Sequence, residues 1–301
     1  MYNITIEEVY NILISRNDIL DIYKQIEKKE NNKYNTIEKL IEALDNTKIN
    51  YDKSNYFVKK AKEYGMGMVV VRNSCHYGIA GYYATMATKA GLIGMTGTNA
   101  RPSIAPTFGV ENMLGTNPLT VGFPTDEEFP FVLDCATSIT QRGKIEYYAR
   151  MGMDTPAGMV VGRAHTDSVA ILDELNTAQA ALAPLGGIGE DLAGYKGYGY
   201  ATVVEVLSAA LQQGNFLRAL SGIGANGEKV PFHLGHWFIA IDTGHFMGED
   251  IARKKAGDIC RSMRASKKAP GAERIYTAGE KEYEIGIARE SGVPINESVQ
   301  K

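Results

Sequence analysis

VVVRNSCHYGIAGYYATMA, residues Val69 to Ala87, passes from a β-branched apolar stretch through a short polar turn into a small-residue run. Met66 to Val71 (MGMVVV) reads as a strand, because consecutive Val and Met suit a pleated, buried surface. Gly78 to Ala90 (GIAGYYATMATKA) reads as a helix whose Ala and Gly positions allow close packing. A strand that delivers into a helix is one unit of an α/β layer. The corner between them carries His76, the first of five histidines in the 301-residue chain. α/β sheets hold ligands at such strand ends, and an imidazole that titrates near neutrality suits proton transfer to a substrate oxygen. A surface or capping histidine is the plainer reading of the same residue taken alone. Cys75 is not expected to form a thiol–imidazole pair with it, since sequence neighbours rarely face each other.

The texture changes on either side of this corner. Residues 1–64 contain no Gly, Pro, His or Cys, and all 32 glycines come from Gly65 onward. Ile37, Leu40, Ile41 and Leu44 recur at i, i+3, i+4, i+7, which predicts an amphipathic helix. Ile12, Ile19, Ile22 and Ile26 suggest another, and Thr5-Ile6-Glu7-Glu8 is a capping box before it. Downstream, Leu92–Thr98, Thr120–Phe123, Phe131–Leu133 and Trp237–Asp242 read as strands. Ser138–Ala149, Gly199–Leu211 and Glu249–Ser266 read as helices. The division expected is a helical region over 1–64, an α/β domain over 65–245, and a C-terminal helical segment over 246–301 that packs with the N-terminal region.

Net charge is −3 and the sequence pI about 6.0, so no global field calls for a nucleic-acid partner or an acidic membrane surface. Cys75, Cys135 and Cys260 form no spacing pattern, which fits reduced thiols and a cytoplasmic setting. The N-terminus carries glutamates where a leader would carry lysines, and no apolar run is long enough to span a membrane.

Other segments carry candidate chemistry. No GxGxxG follows a strand, so no Rossmann fingerprint is predicted. In GGIGEDLAGYKGYGYATVVEVL (Gly186–Leu207), glycines precede a long apolar helix and Lys196 adds positive charge. That is a cradle for phosphate or carboxylate, or else a flexible surface loop. Thr98–Pro124, stiffened by Pro102, Pro106, Pro118 and Pro124, reads as a site wall. Asp134-Cys135-Ala136-Thr137-Ser138 follows a strand, and its hydroxyls either cap the next helix or touch a cofactor. His233 and His236, with His245 nearby, lack an HExxH or paired cysteines, so a structural role is expected and no metal. The basic run Arg261–Lys268 (RSMRASKK) reads as a solvated helix face.

Six of these motifs occur in one order: NSCHYG, LGTNP, LDCATS, GYKGYG, HLGHWFIAID and AGEKE. In that register the chain, from about Asn55 to Gln300, resembles the type 2 malate/L-lactate dehydrogenase family of nicotinamide-dependent oxidoreductases. The resemblance implies an α/β, mixed-sheet, non-Rossmann cofactor-binding domain, a homodimer, and NAD or NADP as cofactor. It implies that His76 is the proton donor or acceptor for the substrate carbinol. It implies cofactor contacts from Asp134, Cys135 and Ala136, extended by Thr137 and Ser138, from Lys196 near the cofactor phosphates, and from the turn Ala278, Gly279 and Glu280. Ala100 stands where some members carry a cofactor-bonding serine. The family's SHG motif and following arginine are missing: residues 1–64 hold no histidine, and their only arginine is Arg16. The activity implied is hydride exchange between NAD(P) and a small 2-hydroxy/2-oxo acid, malate and oxaloacetate first. Lactate, ureidoglycolate or a cyclic imine are alternative substrates. A chain that binds cofactor without turnover is the alternative of another kind.

Overall fold

The computed structural model describes residues 55–162 and 165–294. The helices and capping box expected over positions 1–54 lie outside the described residues. The first described helix, α1 (Tyr56–Tyr64), buries Phe57, Val58 and Ala61. It stops at Gly65, whose φ of +87° turns the chain out while its N–H still bonds the Ala61 carbonyl. β1 (Met66–Ser74), α2 (Ala80–Lys89) and β2 (Leu92–Thr98) follow in the order the opening stretch predicts. Next come β3 (Leu119–Phe123), β4 (Phe131–Cys135), α3 (Arg142–Arg150), β5 (Val160–Val161), α4 (Ser168–Asn176) and β6 (Ala181–Leu182). α5 (Gly194–Ala209), β7 (Leu234–Asp242), α6 (Glu249–Arg264) and α7 (Glu280–Ala288) complete the described chain.

The main sheet has five strands in the order β1-β7-β2-β3-β4. The α/β architecture is as expected, with one correction: the sheet is not mixed, because all four pairings are antiparallel. β1, α2 and β2 do form a crossover between two strands of like direction. β7, arriving late in the chain, inserts between them and runs against both, so the like-directed strands never pair.

α1 and α2 cover one face of the sheet, where Phe57, Val58, Ala61, Val69, Ala87, Leu92 and Ala240 form a core. α2 lies close because a Cβ on Gly94 would stand 2.7 Å from the Ala87 methyl and 2.8 Å from the Ala84 carbonyl. α5 covers the other face, with Val204 against Val70 and the fully buried Trp237. A satellite core of Ile145, Val160, Ile171, Ala180 and Leu182 joins α3 and α4 to the small β5–β6 sheet. α3 begins at Arg142, four residues later than the sequence suggests. Ser138 and Ile139 are instead bridged to Pro184 and Ala183, which holds that backbone extended.

C-terminal α6 and α7 are fastened to the β3–β4 loop. Arg261 pairs with Asp126, Glu127 and Asp258, and Arg264 with Glu127. Tyr283 donates to Glu128. No described helix is long and apolar enough to cross a membrane.

Candidate functional site

The strand register gathers His76 and the Asp134–Ser138 turn at one end of the sheet, whereas Ala278, Gly279 and Glu280 lie at the entry of β4, toward the other end. Ser74 faces Leu234, Thr98 faces His236, Gly97 faces Leu119, and Leu119 faces Cys135. That end holds the exits of β1, β2 and β4 and the entries of β3 and β7.

His76 lies just beyond β1. The strand leaves regular pairing between Val71 and Ser74, where Asn73 takes a φ of +54°. Such irregularities re-aim the residues that follow. The His76 ring is exposed, and its Nδ1 accepts the Gly78 N–H at 3.1 Å. The proton of the neutral ring therefore sits on Nε2. α2 starts directly afterwards, and Asp134 closes its first turn: Oδ2 accepts the Gly81 N–H at 2.7 Å, and Oδ1 the Thr120 hydroxyl at 2.9 Å. A carboxylate at a helix N-terminus also meets the positive end of the helix dipole.

The Asp134–Ser138 turn is the junction of the site. Thr137 does not cap a helix; its hydroxyl donates to the Thr116 and Asn117 carbonyls at 3.0 and 3.1 Å. The Thr137 carbonyl accepts the Leu185 N–H, and the Leu185 carbonyl accepts the Gly197 N–H. The turn therefore carries the start of α5. Ser138 Oγ is buried with no hydrogen-bond partner among the described residues. Cys135 is half-buried, and burial, helped by the Asp134 charge, pushes its thiol up, away from the nucleophilic thiolate.

Lys196 lies inside the first turn of α5 rather than in a loop before it. The glycines around it pack against protein. A Cβ on Gly194 would meet the Gly187 carbonyl at 1.9 Å, and one on Gly197 the Leu185 carbonyl at 2.2 Å. The N–H groups of Gly194, Lys196 and Gly197 bond loop carbonyls. The backbone cradle suggested by the glycines is thus largely closed, and the anion-directed features left are the exposed Lys196 ammonium and the helix dipole.

Ala278, Gly279 and Glu280 lie against edge strand β4, with the Ala278 carbonyl accepting the Val132 N–H at 3.1 Å. The Glu280 carboxylate is buried and turned inward. It accepts the Thr277 N–H at 2.9 Å and the Thr277 hydroxyl at 3.1 Å, and pairs with Arg274 and Arg264. Burial raises its pKa, but these bonds outweigh burial and hold it below the usual carboxylate value.

The exposed Lys196 ammonium, at the positive end of α5, has the charge and placement to receive a phosphate-bearing group. The side chains of Thr137 and Glu280 are committed to the protein, whereas the buried Ser138 hydroxyl has no partner among the described residues.

Sequence reasoning gave His236 only a structural role and passed over Asn117 and Glu205. His236 is 2% exposed; its Nε2–H donates to the Cys75 carbonyl at 3.0 Å and its Nδ1 meets the Thr98 hydroxyl at 2.7 Å. Burial pulls its pKa down to about 4. Asn117 of LGTNP donates to Glu205 Oε2 at 2.8 Å and to the Ala201 carbonyl at 3.0 Å. Glu205 is buried too, which raises its pKa, and it accepts the Leu217 N–H at 2.7 Å. Asn117 and His236 lie inside two of the ordered motifs, while Glu205 falls only in the helical run that follows GYKGYG. Among the described residues no cluster of three or more His, Cys, Asp or Glu could hold a metal.

The sequence pattern of the malate/L-lactate dehydrogenase family matches residues 52–301. A malate dehydrogenase from Pyrococcus horikoshii is 40% identical over 252 residues, 83% of this chain and 68% of that protein. An L-sulfolactate dehydrogenase from Methanocaldococcus jannaschii is 34% identical over 80% of this chain and 66% of its own length. The crystal structure of malate dehydrogenase from Entamoeba histolytica superposes with a TM-score of 0.78 at 44% identity, covering 82% of this chain and 69% of that one. The chain thus spans about two thirds of the length of these relatives.

Proposed function

The chain belongs to the malate/L-lactate dehydrogenase family, and we propose that it exchanges a hydride between NAD or NADP and carbon 2 of a small 2-hydroxy/2-oxo acid, malate and oxaloacetate first. The observation that carries this reading is the exposed His76 imidazole, set at a corner that hydrogen bonds tie to the Asp134 turn and to β7. The 40% identity to a malate dehydrogenase supports the choice of substrate.

The nicotinamide, when bound, supplies or accepts the hydride. His76 handles the proton. In reduction, imidazolium His76 gives its Nε2 proton to the substrate carbonyl oxygen. In oxidation, Nε2 takes the hydroxyl proton. Both steps leave or require a proton on Nδ1, where it faces the Gly78 N–H. The Gly78 bond therefore belongs to the resting ring, and the working ring lets it go. Lys196 would hold the cofactor phosphates by charge, with the 134–138 and 278–280 turns bordering the rest. The protein works as a homodimer in this reading.

The test is turnover of oxaloacetate, pyruvate, sulfopyruvate and a cyclic imino acid, each with NADH and with NADPH. Oxaloacetate should be reduced fastest. A second reading, of a protein that binds cofactor without turnover, is favoured by the absence of histidine from residues 1–64. Nicotinamide fluorescence that reports binding while every substrate fails would select it.

A further inference from the structure

We propose that His236 is a positioning residue for His76, acting through a clamp on the two residues that flank it. This rests on His76 being the proton-transfer group. Cys75, on one side, has its carbonyl held by His236 Nε2–H at 3.0 Å. Tyr77, on the other side, has its ring stacked on the His236 imidazole, centroids 4.4 Å apart and planes 7° from parallel. The far face of Tyr77 stacks on Tyr83 at 4.9 Å and 16°. The Tyr83 hydroxyl returns to donate to the Tyr77 carbonyl at 2.7 Å. One buried imidazole thus fixes a carbonyl before His76 and a side chain after it, and α2 fixes the following carbonyl.

The chemistry explains why a histidine stands in β7 at this place. The position needs a flat ring to stack, an N–H donor toward Cys75, and an acceptor toward the Thr98 hydroxyl. A neutral imidazole supplies all three. The segment it clamps needs such restraint. It follows the pairing break at Asn73 and precedes Gly78 at φ +88°, so without outside contacts several backbone rotations would be open. With both flanks held, the His76 ring reaches the Gly78 N–H through Nδ1 and presents Nε2 outward.

Two variants separate positioning from mere support. His236→Asn keeps an acceptor near Thr98 but loses the donor to Cys75. His236→Gln puts an N–H back at the Nε2 position. The first readout is the tautomer of His76 in the whole protein, from ¹⁵N chemical shifts of the imidazole nitrogens, which needs no turnover. The wild type should show a single Nε2–H tautomer, His236→Asn an average of both, and His236→Gln a return toward one. The second readout is kinetic: kcat should fall roughly 10²-fold in His236→Asn, with nicotinamide affinity unchanged and partial recovery in His236→Gln. Tyr83→Phe, at a half-buried position, removes only the hydroxyl bond and should mix the tautomers without unfolding. It carries the test if the His236 variants fail to fold. A single Nε2–H tautomer in His236→Asn, or in Tyr83→Phe where that variant stands in, overturns the clamp. Equal damage in His236→Asn and His236→Gln overturns it as well. His76→Ala retaining full turnover would instead defeat the assignment of His76, and the tautomer readout would still decide the clamp.

Discussion

His76→Ala should reduce turnover by roughly 10²- to 10⁴-fold, the range that general acid–base catalysis supplies. Nicotinamide affinity should hold, because among the described residues the His76 ring bonds the Gly78 N–H and no group of the two turns or Lys196. Stopped-flow turnover beside fluorescence titration checks both parts. His236 makes a different kind of contribution. The unfolded histidine takes up its proton near 6.5, whereas burial lowers the folded group to about 4. Between these values the unfolded chain binds more protons, so stability is fully present above pH 6.5 and is lost as pH falls toward 4. The whole window is worth at most about 3 kcal/mol. Urea unfolding between pH 7 and pH 4 should show that slope, and His236→Gln should flatten it; an equal slope in the variant would assign acid lability to another group. Both histidines stood out in the sequence, one at a strand-to-helix corner and the other at a strand entry. Their connection did not, because it runs through Cys75 and Tyr77 and exists only once β7 lies beside β1.

Elements here depend on a few side chains at their ends and on small residues at their contacts. α2 has no side chain of its own at its N-cap, and the Gly81 N–H relies on Asp134 from β4. Asp134→Ala should therefore cost about 1–2 kcal/mol. Faster amide exchange at Gly81 would accompany the loss; an unchanged rate there would refute the cap. Glycines in the helix layers divide into two kinds. Gly94→Ala would drive a methyl to 2.7 Å from Ala87 and should cost about 1–3 kcal/mol by overpacking. Gly199, inside α5, has nothing within 4 Å of its missing Cβ, so Gly199→Ala should raise stability by about 0.5–1 kcal/mol. Thermal melts of the pair should move in opposite directions. The sequence shows both glycines alike. Periodicity located β2 to the residue and α5 to within five residues at its start. The start was misjudged because glycines at Gly194 and Gly197 read as loop, whereas they are small so that loop carbonyls can pack on the helix.

At the level of the whole molecule, the order of the main-sheet strands and their covering helices was legible from Val69–Ala87 outward, but β5, α4, β6 and strand direction were not. The crossover β1–α2–β2 looks the same whether its strands pair or accept β7 between them, and nothing local in WFIAID says which. The C-terminal segment was legible only as charged helices, since its attachment to the β3–β4 loop joins residues 134 to 155 apart. That attachment yields the final expectation. Arg264, with 20% of its side chain exposed, stands between Glu127 at 13% and Glu280 at 2%. Arg264→Met would leave two enclosed carboxylates without their shared cation and should cost about 2–3 kcal/mol. Arg274, 44% exposed, also meets Glu280, but water screens it, so Arg274→Met should cost under about 1 kcal/mol. Glu280 bonds Thr277 and so sets the Ala278–Gly279 turn against β4. Loss of stability in Arg264→Met should therefore bring weaker nicotinamide binding, while Arg274→Met changes neither much. Thermal melts paired with fluorescence titration measure both. If affinity stays at the wild-type level while the melting temperature drops, the 278–280 turn braces the C-terminal helices and does not border the cofactor.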